Sequence, residues 1–199
     1  MSRSTYTLAA FFATTSWGFV WLSGCEQVAD KQAEQPKTGQ PKTEALAEVA
    51  AGQTQVKVPR IVPGTPLRES DFEQTLRATG AEFVVVQVYA EACGPCITEA
   101  LKLTQIEKQW RDQGVAILGM GMDETSAGPV SFFNSTGGRV KFPLYLAPWF
   151  AKQQQVEATP ALFIYSANGT QVYRGDPASA ETNTIAALSE KLTELLAGG

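Results

Sequence analysis

The chain has 199 residues, 44% of them hydrophobic, so it is long enough for one domain of ordinary size plus an appendage. With 16 Lys+Arg against 20 Asp+Glu its net charge is −4, and a basic face for nucleic acid is not expected. Histidine is absent, which excludes Ser-His-Asp hydrolases and most zinc, copper and haem sites, and three cysteines are too few for a disulfide scaffold.

Residues 7–23 carry no charge and are mostly apolar, after a start whose one charge is Arg3. That pattern predicts an export signal. It ends in Leu22-Ser23-Gly24-Cys25, which resembles the lipobox of bacterial lipoproteins. The resemblance implies cleavage after Gly24, so that 1–24 is a signal peptide and Cys25 carries the lipid. The protein would then be anchored to the cell membrane or outer membrane, facing the periplasm or the outside. Two alternatives stay open. The run is also an uncleaved anchor of about 17–20 residues, long enough to span, or Cys25 is incidental. Residues 26–57 hold no aromatic residue and include the tandem Gln35-Pro36-Lys37-Thr38-Gly39 and Gln40-Pro41-Lys42-Thr43-Glu44. Such a stretch buries too little apolar surface to offset its ordering entropy. Residues 25–57 therefore read as the lipidated cysteine and a disordered tether, with a reach of roughly 30 Å.

A folded domain is expected over 58–199. Ser70-Asp71-Phe72-Glu73 has the form of a capping box, with Phe72 and Leu76 on one helix face and Gly80 as the stop. Phe83 to Ala90 is a near-continuous β-branched run, expected to be a strand buried on both faces. A helix follows over 97–113 with Leu103, Ile106 and Trp110 on one side, then a buried strand over 115–122. A short helix at 130–135, a strand at 142–146 and a helix at 148–155 opening on Pro148 come next. Strands at 161–165 and 171–174 flank Asn168-Gly169, a hairpin signal. The last helix sets Ile185, Leu188, Leu192 and Leu195 to one side. That order predicts an α/β fold with a mixed central sheet flanked by helices.

Cys93-Gly94-Pro95-Cys96 falls where the central strand ends and the next helix opens. A helix N-terminus stabilises a thiolate through its unpaired N–H groups and partial positive charge. Cys93 would be the exposed nucleophile, and Cys96, one turn on, would resolve the mixed disulfide. A zinc site needs further Cys or His ligands, which the chain lacks. A c-type haem attachment needs histidine where Ile97 stands. A purely structural disulfide over so short a loop adds little stability.

Residues 82–96, ending in Cys93-Gly94-Pro95-Cys96, resemble the active-site segment of thioredoxins, and Glu157-Ala158-Thr159-Pro160-Ala161 resembles that family's second signature. The residues inserted between Asp123 and Pro148 are similar to those of the ResA/TlpA/DsbE-like branch, membrane-attached thiol-disulfide oxidoreductases of which several serve cytochrome c maturation. The resemblance implies a thioredoxin fold with a helix-strand insertion. It implies catalysis by Cys93 and Cys96, and substrate contact through Gly94, Pro95, Thr159 and a cis Pro160. It also implies a proton-handling role for Glu99, which stands where the branch has a glutamate; a solvated helix glutamate is the alternative. No cofactor and no metal would be needed, since the redox-active group is the Cys93–Cys96 pair itself. The partners would be protein thiols and disulfides outside the cytoplasm and a membrane electron donor, with the protein a monomer. The Gly-Pro dipeptide is that of thioredoxin, whose potential of about −270 mV makes it a reductant.

Three places depart from the pattern. Gln87 stands where thioredoxins have a buried acid, which leaves proton handling to Glu99, Glu91 or water. Ala92 replaces a tryptophan, and Ala100-Leu101 stands where the branch often has a proline. Two other readings remain. A thiol peroxidase of peroxiredoxin type shares the sheet, but Tyr-Ala-Glu-Ala precedes Cys93 in place of that family's pattern. A non-catalytic binding module on the same fold is the other, although copper chaperones of this fold use CxxxC and a distant histidine, which the chain lacks.

Overall fold

The computed structural model describes Val56, residues 62–175, Ser179 and residues 181–198. All of them fall within one compact unit, Ala47–Gly199. The expected signal peptide, Cys25 and the tether apart from Val56 lie outside the described residues.

Six strands form one sheet: β1 (Thr65–Pro66), β2 (Phe83–Tyr89), β3 (Val115–Gly121), β4 (Leu144–Leu146), β5 (Ala161–Ser166) and β6 (Gln171–Arg174). Their order is β1-β4-β3-β2-β5-β6. The pairs β1/β4, β4/β3 and β3/β2 are parallel, while β2/β5 and β5/β6 are antiparallel. The helices are α1 (Phe72–Ala78), α2 (Gly94–Asp112), α3 (Ala127–Ser135), α4 (Pro148–Gln153) and α5 (Ile185–Ala197). This is the expected mixed sheet between helices.

Every residue of β2 and of β3 is buried. Side chains alternate along a strand, so β2 feeds two cores. Val84, Val86 and Val88 join Phe72, Leu76, Phe150 and Phe163 on one face. Phe83, Val85 and Tyr89 join Leu103, Trp110, Phe132, Leu188 and Leu192 on the other. Gly119 makes room on this second face: an added Cβ would lie 2.6 Å from Leu144 Cδ2 and 3.0 Å from Tyr89 Cε1. The Tyr89 ring stacks on Phe132 with centroids 4.2 Å apart.

Several boundaries differ from expectation. The capping box is not made. A 3-10 turn, Glu69–Asp71, precedes α1, so Ser70 is already inside helical backbone. Its hydroxyl donates to Asp71 Oδ1, and Glu73 pairs with Arg77 instead. Helix α3 starts three residues early because Pro129 sits in its first turn, where a missing N–H costs nothing. Strand β4 starts only at Leu144, after Pro143, which has no N–H to give a ladder. Helix α4 stops at Gln153, and Gln155 at φ 50° turns the chain away. The two-residue β1 was not anticipated. Nor was the place of Val56, assigned to the tether but packed half-buried against the first core.

Candidate active site

Strand β2 delivers the chain to a loop whose turn is closed by the Cys93 N–H donating to the Ala90 carbonyl at 3.2 Å. Asp123, just past β3, takes the Glu91 N–H at 3.2 Å. Cys93 is the N-cap of α2 and stays extended, at φ −91° and ψ 95°. Its Sγ accepts the Cys96 N–H at 3.1 Å, in the place where a serine or aspartate oxygen commonly caps a helix. Pro95 lies in the first turn of α2, where proline is tolerated. Helix α2 runs its 19 residues without interruption, from Gly94 rather than from the expected Ile97.

Cys93 and Cys96 are joined as a disulfide, Cα atoms 5.2 Å apart. The two sulfurs differ in access. Cys93 is half-buried between exposed Ala92 and exposed Gly94 and Pro95, whereas Cys96 is 0% exposed. An incoming group can therefore reach the first sulfur and not the second. The Thr159–Pro160 peptide is cis, and the Thr159 carbonyl oxygen lies 3.6 Å from Cys93 Sγ. Thr159 and Pro160 are half-buried at the same surface. The structure thus brings Cys93, Gly94, Pro95, Cys96, Thr159 and Pro160 to one place.

Glu99 is one turn further along α2 and half-buried. Gln87 is 0% exposed and projects from β2 beneath the disulfide. Its Nε2 donates to the Cys96 carbonyl at 3.2 Å and to Glu99 Oε2 at 3.1 Å. Burial pushes the Glu99 carboxyl up from 4.5 to about 7, against the smaller downward pulls of the Gln87 bond and of Lys102. A solvated helix glutamate would not behave so. Gln87 Oε1 is buried without a partner among the described residues. Glu91 is exposed on the surface loop.

Gln87 was read from sequence only as a missing acid. Its place as the link between the Cys96 backbone and Glu99 was not anticipated, although one amide in an apolar strand was a visible signal. Asp123 as the anchor of the Glu91 loop left no signal in the local sequence. Among the described residues no group of three His, Cys, Asp or Glu is arranged to hold a metal ion, and no helix is long and apolar enough to cross a membrane.

No family model and no curated protein matches the chain. Among solved structures it is similar to an uncharacterized thioredoxin-like protein from Porphyromonas gingivalis, at 26% identity and TM-score 0.50, over 59% of this chain and 78% of that one. It is also similar to a putative thiol:disulfide interchange protein DsbE from Chlorobium tepidum, at 17% identity and TM-score 0.49, over 58% and 81%. A thiol-disulfide oxidoreductase from Bacteroides fragilis NCTC 9343 matches at 20% identity and TM-score 0.44, over 57% and 81%. With the strand order and the close cysteine pair, the first of these likenesses makes the fold thioredoxin-like, the fold of thiol-disulfide oxidoreductases.

Proposed function

We propose that this thioredoxin-like chain is a thiol-disulfide oxidoreductase working outside the cytoplasm, lipid-anchored through Cys25, that reduces protein disulfides with its Cys93–Cys96 dithiol. The observation that carries the reading is the unequal access of the two sulfurs. An accessible Cys93 caps a helix and a wholly covered Cys96 lies one turn behind it, beside an open strand end at Thr159.

The chemistry follows from that arrangement. The Cys93 thiolate, at the positive N-terminus of α2, attacks one sulfur of a substrate disulfide. The substrate disulfide breaks, a mixed disulfide forms, and the leaving thiolate takes a proton. The substrate backbone pairs with Thr159 meanwhile, in the manner of an added strand. Cys96 then gives up its proton and attacks Cys93 Sγ, which closes the Cys93–Cys96 disulfide and releases the second substrate thiol. Two electrons and two protons have passed to the substrate. Glu99, raised to about 7 and tied through Gln87 to the Cys96 backbone, is half ionised near neutral pH and suited to take that proton. A membrane electron donor restores the dithiol. The substrates are exported proteins with cysteines, apocytochromes c among them.

The test is turnover of a protein disulfide by the purified chain, with dithiothreitol as donor. Wild type should accelerate it, Cys93→Ser should abolish the effect, and reduced Cys96→Ser mixed with the substrate after dithiothreitol is removed should accumulate the mixed disulfide. No acceleration by wild type would end the reading. A diacylglyceryl mass on Cys25 in membrane-extracted protein tests the anchor.

A further inference from the structure

Strand β6 ends at Arg174, before the start of β5 is fully paired. The Gly175 N–H still donates to the Leu162 carbonyl at 2.8 Å. The next backbone groups on that edge are met by one side chain. Asn183 Oδ1 accepts the Leu162 N–H at 3.0 Å, and Asn183 Nδ2 donates to the Pro160 carbonyl at 2.6 Å. The amide of Asn183 therefore does what a backbone residue of a neighbouring strand would do.

Asn183 is itself held on several sides. Its N–H donates to the Ser179 carbonyl at 3.1 Å. Ser179 Oγ takes the N–H groups of Glu181 and Thr182, and the Tyr173 hydroxyl donates to the Thr182 carbonyl. Thr184 caps α5 by accepting the Ala187 N–H at 3.2 Å. Gly175 leaves the space for this approach, since a Cβ there would lie 2.8 Å from Asn183 Oδ1 and 3.0 Å from its Cα.

Residues two apart in an extended chain, as Pro160 and Leu162 are, turn their backbone groups to the same side. Pro160 and Leu162 turn theirs to Asn183, while Thr159 turns its carbonyl towards Cys93 Sγ. We infer that Asn183 is a positioning residue for the substrate-contact edge: by gripping Pro160 and Leu162 from behind it holds the Thr159 backbone where a peptide linked to Cys93 pairs with it. This rests on the oxidoreductase reading above and adds a residue to it that touches neither sulfur.

The test uses the full chain carrying Cys96→Ser, with Cys93 as a mixed disulfide with 2-mercaptoethanol. An unstructured decapeptide bearing one cysteine is titrated in. The Cys93–mercaptoethanol disulfide breaks, the Cys93–peptide disulfide forms, and the peptide's thiol proton ends on the released mercaptoethanol, with no net change in oxidation. Adding Asn183→Ala should lower this exchange constant about tenfold, the worth of a hydrogen bond or so. Asn183→Asp keeps an acceptor for the Leu162 N–H but offers no donor to the Pro160 carbonyl. It should lower the constant similarly, and it carries the test if the alanine variant does not fold. Exchange of cysteamine for mercaptoethanol, where neither has a strand to pair, should not move. An unchanged peptide constant in folded Asn183→Asp would overturn the inference, and so would an equal fall for cysteamine. Failure of the function itself reads differently: wild type would then turn over no protein disulfide while peptide exchange still depended on Asn183.

Discussion

Glu99→Gln removes a charge and nearly keeps a shape, so it isolates the titration of this carboxyl. In the oxidised protein the group moves from 4.5 to about 7, chiefly because burial disfavours its charge. Between those values the unfolded chain is ionised at Glu99 while the folded chain keeps the proton. Unfolding then releases a proton, and stability falls as pH rises. The contribution is fully present below about 4.5 and is lost as pH climbs through about 7. Two and a half pH units at about 1.4 kcal/mol each set a ceiling of about 3 kcal/mol, which the group's partial exposure lowers to roughly 2 kcal/mol. Glutamine does not titrate, and its carbonyl can still accept the Gln87 Nε2–H. The variant should therefore gain roughly 2 kcal/mol on wild type between pH 4 and pH 8. Urea midpoints of both oxidised proteins across that range read it directly, at constant slope. Parallel curves would refute the argument, because they would mean that Glu99 ionises as freely in the fold as out of it. In the reduced protein, thiolate absorbance should show at least one thiol pKa lowered by the substitution, since a like charge has gone.

The remaining predictions concern access and packing. Alkylation of the reduced protein at pH 6 should label half-buried Cys93 well before fully buried Cys96, and preferential labelling of Cys96 would reverse their assigned roles. A chain beginning at Val58 should fold, yet melt roughly 3 °C below one beginning at Ala47, because it lacks the contact of Val56 with the first core; equal melting temperatures in calorimetry would remove that contact from the account. Gly119→Ala should cost about 1–3 kcal/mol in urea unfolding, since its methyl group would meet Leu144 and Tyr89, and a neutral result would show that those side chains can shift.

What could be read from sequence depended on how local the physics was. Strands β2 and β3 are apolar throughout, Gln87 excepted, because both faces are buried, and that pattern is written in consecutive residues. The cysteine pair is legible for the same reason, since strand, loop and helix cap follow one another in the chain. Ser70 was misread because its motif is local but its neighbours' backbone is not: a 3-10 turn had already consumed the position. Strand β1 exists only through Tyr145 and Leu146, far along the chain, and no two-residue segment announces that. The links Gln87–Glu99 and Asn183–Pro160 join residues from separate parts of the chain, so the register of the sheet had to be known before either could be seen.

That register also sets how the site can fail. Cys93 follows β2 and Thr159 precedes β5, and these two strands pair from Phe83–Ser166 to Val88–Ala161 through residues that are almost all buried. The gap between Cys93 and the Thr159 carbonyl is thus a dimension of the sheet itself, like the distance between two marks on a ruler. A slip of one residue would move one mark by about 3.4 Å and exchange the side chains of β5 between the two cores. No half-slipped state of β5 keeps the core, so a change of register offers no loosened site between the intact one and none. Heat or denaturant should leave each molecule either fully competent or wholly unfolded, and the loss of activity across a population is then a count of molecules.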